Sequence, residues 1–295
     1  MELRVLKYFL TIADEQNISR AADLIHITQP TLSRQIKELE DELGVELFER
    51  NKQNRKFLLT EEGTRFYNYA QEIVQLSEKT VEEFKSRDSE IFGKIYLGAG
   101  ETSAISTVAQ AFSSIKQKHP RLEINLFSSD ASVISERMDK GLCDFGIFIG
   151  FKNIEKYEHI ILPQKNVWGL LTHKENPLAK YNSIKKENLL EHYEPLMISQ
   201  QALTKKELLD WFGGSVEKYN IIGTYNLLYN ASVFIKEKVC SALTLDGIVH
   251  SSENSDLRFV PLEPPIYSEV VLAWKKGVKL SKQAKLLLEE IFKLA

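Results

Sequence analysis

Cysteine is scarce. The two residues in 295, Cys143 and Cys240, lie far apart, and neither belongs to a C-x-x-C pair. That spacing excludes a metal ribbon and a thioredoxin-like motif. Two reduced core thiols and a redox pair both stay open, burial being the common fate of a free cysteine. No stretch approaches a membrane span, and the N-terminus has no apolar signal core. The expectation is a chain that is neither exported nor membrane-bound and works in the cytoplasm. An excess of one charge is missing too. A net charge of −3 argues against a protein that coats nucleic acid non-specifically. There is no G-x-S-x-G elbow, P-loop, H-E-x-x-H or dinucleotide fingerprint, and the six histidines form no close ligand set. No catalytic residue, metal or cofactor is expected.

What is present is an ordinary globular composition, 43% hydrophobic and 27% charged. A chain of 295 residues accommodates two domains at roughly 100–200 residues each. Leu3, Leu6, Phe9–Leu10 and Ile12–Ala13 predict a first helix. After Asn17–Ile18, Ser19 is placed to cap a short second helix through Ala21, Ala22, Leu24 and Ile25. His26–Ile27–Thr28 reads as a tight turn. "QPTLSRQIKELEDEL" follows, with Pro30 in the first turn and Leu32, Ile36, Leu39 and Leu43 as one apolar stripe. Gly44 ends that helix. Val45–Phe48 and Phe57–Leu59 predict the two strands of a hairpin around "RNKQNRK", which carries Arg50, Lys52, Arg55 and Lys56 and no acid. A basic run alone reads equally as a solvated loop.

Helix, short turn, helix and basic wing is the order of a winged helix-turn-helix. In that arrangement the N-terminal residues of the second helix face base edges. Arg34 offers a fork to guanine, and Thr31 and Ser33 can bond bases or phosphates. The candidate DNA-contacting residues are Ser19, Gln29, Pro30, Thr31, Ser33, Arg34 and Lys37, with Arg50, Lys52 and Arg55 on the wing. The wing would lie against backbone or minor groove. From Ser19 to Gly63, "SRAADLIHITQPTLSRQIKELEDELGVELFER" and "LLTEEG" resemble the N-terminal signature of LysR-type transcriptional regulators. The loop between Arg50 and Leu59 is longer than the family pattern.

From Glu61 to about Lys85 there is no proline, and the only glycine is Gly63. Phe66, Ala70, Ile73, Leu76 or Ser77, Thr80 or Val81 and Phe84 recur at helical spacing. Such a helix packs either on its own domain or in a coiled coil with a second copy. The resemblance implies the second, an antiparallel linker helix in a dimer.

Beyond Ile91, strands alternate with helices, which predicts α/β structure with largely parallel sheet and ligands beyond the strand ends. The resemblance implies an effector domain of two Rossmann-like lobes, similar to type 2 periplasmic solute-binding proteins. The fold expected overall is therefore an α/β effector domain plus an N-terminal all-α winged helix-turn-helix domain and a long linker helix. Its divisions are 1–60 for DNA binding, 61–88 for the linker and 89–295 for the effector domain. Lobe one takes 89–162 and 266–295, and lobe two takes 163–265.

Positions matching the family cleft are Thr102 and Ser103, Ser128 and Ser129 up to Asp130, and Phe148 and Ile149 up to Gly150. From lobe two they are Ser199, Gln200 and Gln201, Thr224 to Asn226, and Thr244 to Asp246. Thr102 or Ser103 could equally be a plain helix cap. Near Cys240 the family often has G-x-G, where this chain has "VCSALTL". Hydroxyls and helix N-termini suit an anionic effector. The implied partners are double-stranded DNA with an imperfect inverted repeat, a small effector, and the chain itself as a homodimer and tetramer. The readings weighed against this are an α/β enzyme and a solute-binding receptor.

Overall fold

The computed structural model describes residues 1–49, 57–85, 91–150, 154–200, 202–249 and 255–294. The chain divides into two compact units, Met1–Lys85 and Ser86–Ala295.

In the first unit, helix α1 (Leu3–Glu15) buries Val5, Leu6, Phe9 and Ile12, the face its periodicity marks. It stops where Gln16 turns left-handed, φ 49°. Helix α2 (Ile18–Leu24) begins two residues earlier than the sequence suggests. Its cap is Asn17, whose Oδ1 accepts from the Ser19 and Arg20 N–H groups at 3.0 and 3.1 Å. Ser19 is thus inside the helix and not its cap. Helix α3 (Gln29–Leu43) buries Leu32, Ile36 and Leu39, while Leu43 reaches the surface beside the left-handed Gly44.

Among the described residues the hairpin after α3 shows one bridge, Phe48 to Leu59, made by the Glu49 N–H on the Leu58 carbonyl at 2.8 Å and the Thr60 N–H on the Leu47 carbonyl at 3.0 Å. Among the described residues the pairing goes no further, because side chains take neighbouring backbone groups. Glu40 Oε1 accepts from the Leu47 and Phe48 N–H groups at 2.7 and 3.2 Å. The Thr60 hydroxyl donates to the Glu46 carbonyl at 2.7 Å.

Helix α4 (Glu61–Lys85) is capped by the Thr60 hydroxyl, which accepts from the Gly63 N–H at 2.9 Å. A Cβ on Gly63 would stand 2.0 Å from the Leu47 carbonyl oxygen, so only glycine fits there. Half of the α4 stripe packs on its own domain. Phe66, Tyr67, Ala70 and Val74 join the core around Phe9, whose ring meets Phe66 edge-on at 5.0 Å. The Tyr67 hydroxyl donates to Asp14 at 2.5 Å. Tyr69, Ile73, Leu76, Val81 and Phe84 remain exposed, Phe84 by 83%.

The second unit begins with strand β1 (Gly93–Ala99), helix α5 (Ile105–Lys118), strand β2 (Leu122–Ser128), helix α6 (Ala131–Asp139), and strands β3 (Phe145–Ile149) and β4 (Tyr157–Ile161). The chain then crosses to β5 (Asn166–His173), α7 (Lys186–Glu191), β6 (Leu196–Ser199) and α8 (Lys206–Trp211). Strand β7 (Ile221–Tyr225), α9 (Leu228–Lys236), β8 (Ser241–Leu245), β9 (Leu257–Pro261) and β10 (Tyr267–Ser268) follow. It returns with β11 (Val270–Lys275) and α10 (Lys282–Phe292).

One sheet has the order β2-β1-β3-β11-β4; the other runs β10-β5-β8-β6-β7, with β9 also on β5. The sheets are mixed, correcting the expectation of largely parallel strands. Of the nine pairings among described residues, the four within β1–β2, β1–β3, β6–β7 and β6–β8 are parallel. The other five involve β5 or β11, the strands that enter each sheet after a crossing and run against their neighbours. Tyr267 and Ser268 still pair with Val167 and Asn166, which carries the second sheet past the expected boundary at 265.

Each sheet is covered on both faces. Ile95, Leu97, Phe145 and Leu272 pack with α5 and α10, whereas Phe148, Val271 and Ala273 pack with Ile134 and Met138 of α6. In the second lobe Trp168, Leu170, Ile198 and Leu243 face α7 and α8, and Leu171, Ala242 and Leu257 face α9. Alternation along each strand sorts these residues.

Candidate functional site

The N-terminal unit offers one polar face. Gln29, Pro30, Thr31, Ser33, Arg34 and Lys37 are all exposed on the first turns of α3, and Ser19 is exposed on α2. Arg34 is 72% exposed, and its Nε lies 3.5 Å from Glu38 Oε1 one turn on. An exposed pair of this kind is worth little, so the guanidinium can leave it for a base edge at small cost. The Thr28 and Thr31 hydroxyls share a hydrogen bond of 2.7 Å, which orients Thr31 at the helix start. Arg20, beside Ser19 and 3.2 Å from Glu15, is a further exposed cation that the sequence reading left out. Arg50, Lys52 and Arg55 lie outside the described residues.

In the second unit, a cleft of about 500 Å³ including its open mouth lies between the two sheets. Ser129, Asp130, Ile149, Ser199, Tyr225, Asn226 and Thr244 line it as the sequence suggests, together with Glu101, Trp168 and Lys205. Lys205 Nζ donates to the Ile149 carbonyl at 3.0 Å and lies 5.9 Å from the Trp168 ring centre. The Tyr225 hydroxyl donates to the Leu243 carbonyl at 2.7 Å, and burial pushes its pKa well above the ordinary phenol value.

Several expected wall residues stand elsewhere. Thr102 and Ser103 lie just behind the cleft and are spent on Asn166, the first residue after the crossing. The Thr102 hydroxyl donates to Asn166 Oδ1 at 2.5 Å and accepts the Ala104 N–H at 3.2 Å. Asn166 Nδ2 donates to Ser103 Oγ at 2.6 Å and to Asp246 Oδ1 at 3.3 Å. Phe148 is a core residue against α6, because its place in β3 turns it to the opposite face from Ile147. Ser128, Gln200 and Thr224 are exposed and do not line the cleft, and Gln201 lies outside the described residues. Glu101 and Lys205 were missed. Both are charged residues next to glycine or polar turns, a placement shared by many surface side chains.

Residues 3–64 match the bacterial regulatory helix-turn-helix protein, lysR family, and residues 89–294 match the LysR substrate binding domain. The HTH-type transcriptional regulator BsdA of Bacillus subtilis (strain 168) is 37% identical over 147 residues, 50% of each chain. The HTH-type transcriptional regulator BenM of Acinetobacter baylyi is 35% identical over 146 residues, 50% of this chain and 47% of that one. The chain thus spans about half the length of these curated relatives. In fold it is similar to CbnR, a LysR family transcriptional regulator, with TM-score 0.78 and 19% identity over 100% of this chain and 99% of that one. CbnR has also been solved complexed with its target DNA, where the TM-score is 0.75 at 18% identity, covering 100% of both chains. With both halves of the architecture matched, this chain belongs to the LysR family of bacterial helix-turn-helix regulators.

Proposed function

We propose that this chain regulates transcription by reading double-stranded DNA with α3 and answering a small molecule held between its two lobes. The observation that carries this reading is the free first-turn face of α3, with Thr31, Ser33, Arg34 and Lys37 exposed while Leu32, Ile36 and Leu39 hold the helix in place. A helix presented in this way suits the major groove. Residues 1–60 form the reading head, with Arg50, Lys52 and Arg55 set against the DNA backbone, and 61–88 join two copies. The exposed Ile73, Leu76 and Phe84 support that pairing. Two heads related by a two-fold axis fit an imperfect inverted repeat, and pairs of dimers form a tetramer. Residues 89–295 bind the effector, an anion, against Ser129, Ile149, Ser199 and Thr244, with Thr102 and Ser103 as a supporting layer. The protein acts in the cytoplasm, where its DNA is.

A gel-shift assay with the DNA upstream of the protein's own gene tests the reading. Arg34→Ala should weaken specific binding by about 1–3 kcal/mol and relax preference at one base step per half-site. Unchanged binding and sequence preference in that variant would remove α3 as the reading helix.

A further inference from the structure

Helix α9 is capped from the other lobe. Its own N-cap position is Leu227, which has no side-chain oxygen. The neighbouring Asn226 spends its Oδ1 on the Leu227 N–H at 2.9 Å. The Leu228 N–H is instead taken by Glu101 Oε2, which reaches over from the turn after β1, 127 residues away in sequence. A second side chain reaches back from the other lobe: Lys205 Nζ donates to the Ile149 carbonyl. Glu101, Ile149, Lys205 and Leu228 all line the cleft.

We propose that Glu101 is a tethered carboxylate that fills the anion position of the cleft when no effector is present. An effector carboxylate, or an anion like it, then binds by displacing Glu101 from the first turn of α9. A helix N-terminus favours one negative group on its free N–H donors, and a second at the same place meets like-charge repulsion. The two carboxylates therefore compete for the same donor. Displacement removes one of the bonds that join the lobes and leaves those of Asn166 with Thr102 and Ser103 in place, so the liganded and unliganded arrangements differ in what joins the lobes. That difference is what a ligand-driven switch requires. The proposal rests on the cleft being the site of an anionic effector and adds what stands in the ligand's place.

Hydrogen–deuterium exchange on the full chain reads the cap directly, with acetate as the probe anion. In Glu101→Ala the peptide covering 226–236 should exchange roughly tenfold faster than in the parent protein, the loss of one charge-assisted hydrogen bond. Glu101→Gln, whose amide oxygen still accepts, should fall between. Peptides from β1 and β8 should be unchanged, which shows that the lobes remain folded. Acetate should slow the 226–236 peptide in Glu101→Ala and leave the parent protein nearly unaffected. Unchanged exchange in Glu101→Ala overturns the proposal, as does acetate protecting both proteins alike or neither. Neither DNA nor the natural effector enters this experiment. Its failure is therefore distinguishable from failure of the regulator reading, which the gel-shift assay decides.

Discussion

Asn166 is fully buried, and its amide meets Thr102, Ser103 and Asp246. Asn166→Ala would leave the buried Thr102 hydroxyl without its acceptor, at about 1–3 kcal/mol, while the half-buried Ser103 and Asp246 can turn to water. The expected outcome is a lower melting temperature for the effector unit, read by calorimetry. A melting curve identical to the parent would mean that water replaces the amide at no cost. Cys240 makes a second residue-level case. It is buried, and burial, aided by the nearby Glu194 charge, raises its thiol from the ordinary 9.0 to about 11. Between those values an unfolded chain gives up a proton that the folded chain keeps. Stability from this group is therefore fully present below about 9 and lost as pH rises through 11. Urea denaturation across that range should show a steeper alkaline loss in the parent than in Cys240→Ala. At neutral pH the thiol should resist iodoacetamide until the chain is unfolded. Of the cleft, the residues legible in advance were those at strand ends and just past them: Ser129, Asp130, Ile149, Ser199, Tyr225, Asn226 and Thr244. What stayed hidden was pairing: nothing near Thr102 in sequence announces that its partner is Asn166.

The secondary elements were the most legible part of the molecule. The α3 stripe of Leu32, Ile36 and Leu39 and the unbroken run through α4 follow directly from residue spacing. The wing was less so, since hydrophobic alternation cannot tell that Glu40 and Thr60 claim the backbone groups a ladder would use. Strand β9 escaped notice because "LRFVP" is short, carries Arg258 and ends in proline. Gly63 is the sharpest test at this scale. Alanine normally favours a helix over glycine by about 1 kcal/mol. Here its Cβ would strike the Leu47 carbonyl, and the site must shift. Gly63→Ala should destabilise the N-terminal unit by roughly 1–3 kcal/mol. Denaturant titration checks the sign, and a gain in stability would show that the 45–48 segment yields freely.

At the scale of the whole molecule, α4 has two roles on two faces. Phe66, Ala70 and Val74 complete the core of the reading head, while Ile73, Leu76 and Phe84 face outward. Ile73→Asp puts a charge on the outward face only. It should leave the fold of the single chain intact and yet break the dimer, because a charge buried at a pairing surface has no partner there. Sedimentation showing an intact dimer with normal operator affinity would reject α4 as the dimer contact. The α/β class was legible from strand and helix alternation, and the two-lobe plan only through the family resemblance. Strand direction was not, because it depends on where the chain re-enters each sheet.

That re-entry sets the order in which the molecule can be completed during synthesis. Strand β11 lies between β3 and β4, and β4 has no other strand beside it among the described residues. The first lobe therefore begins early in translation and waits, with a gap in the middle of its sheet, until residues 270–275 emerge. The second lobe, enclosed between the two crossings, has all its strands before then. A ribosome stalled just short of β11 would release a chain that lacks the centre of its first sheet, with the edges of β3 and β4 open to strand pairing with other chains.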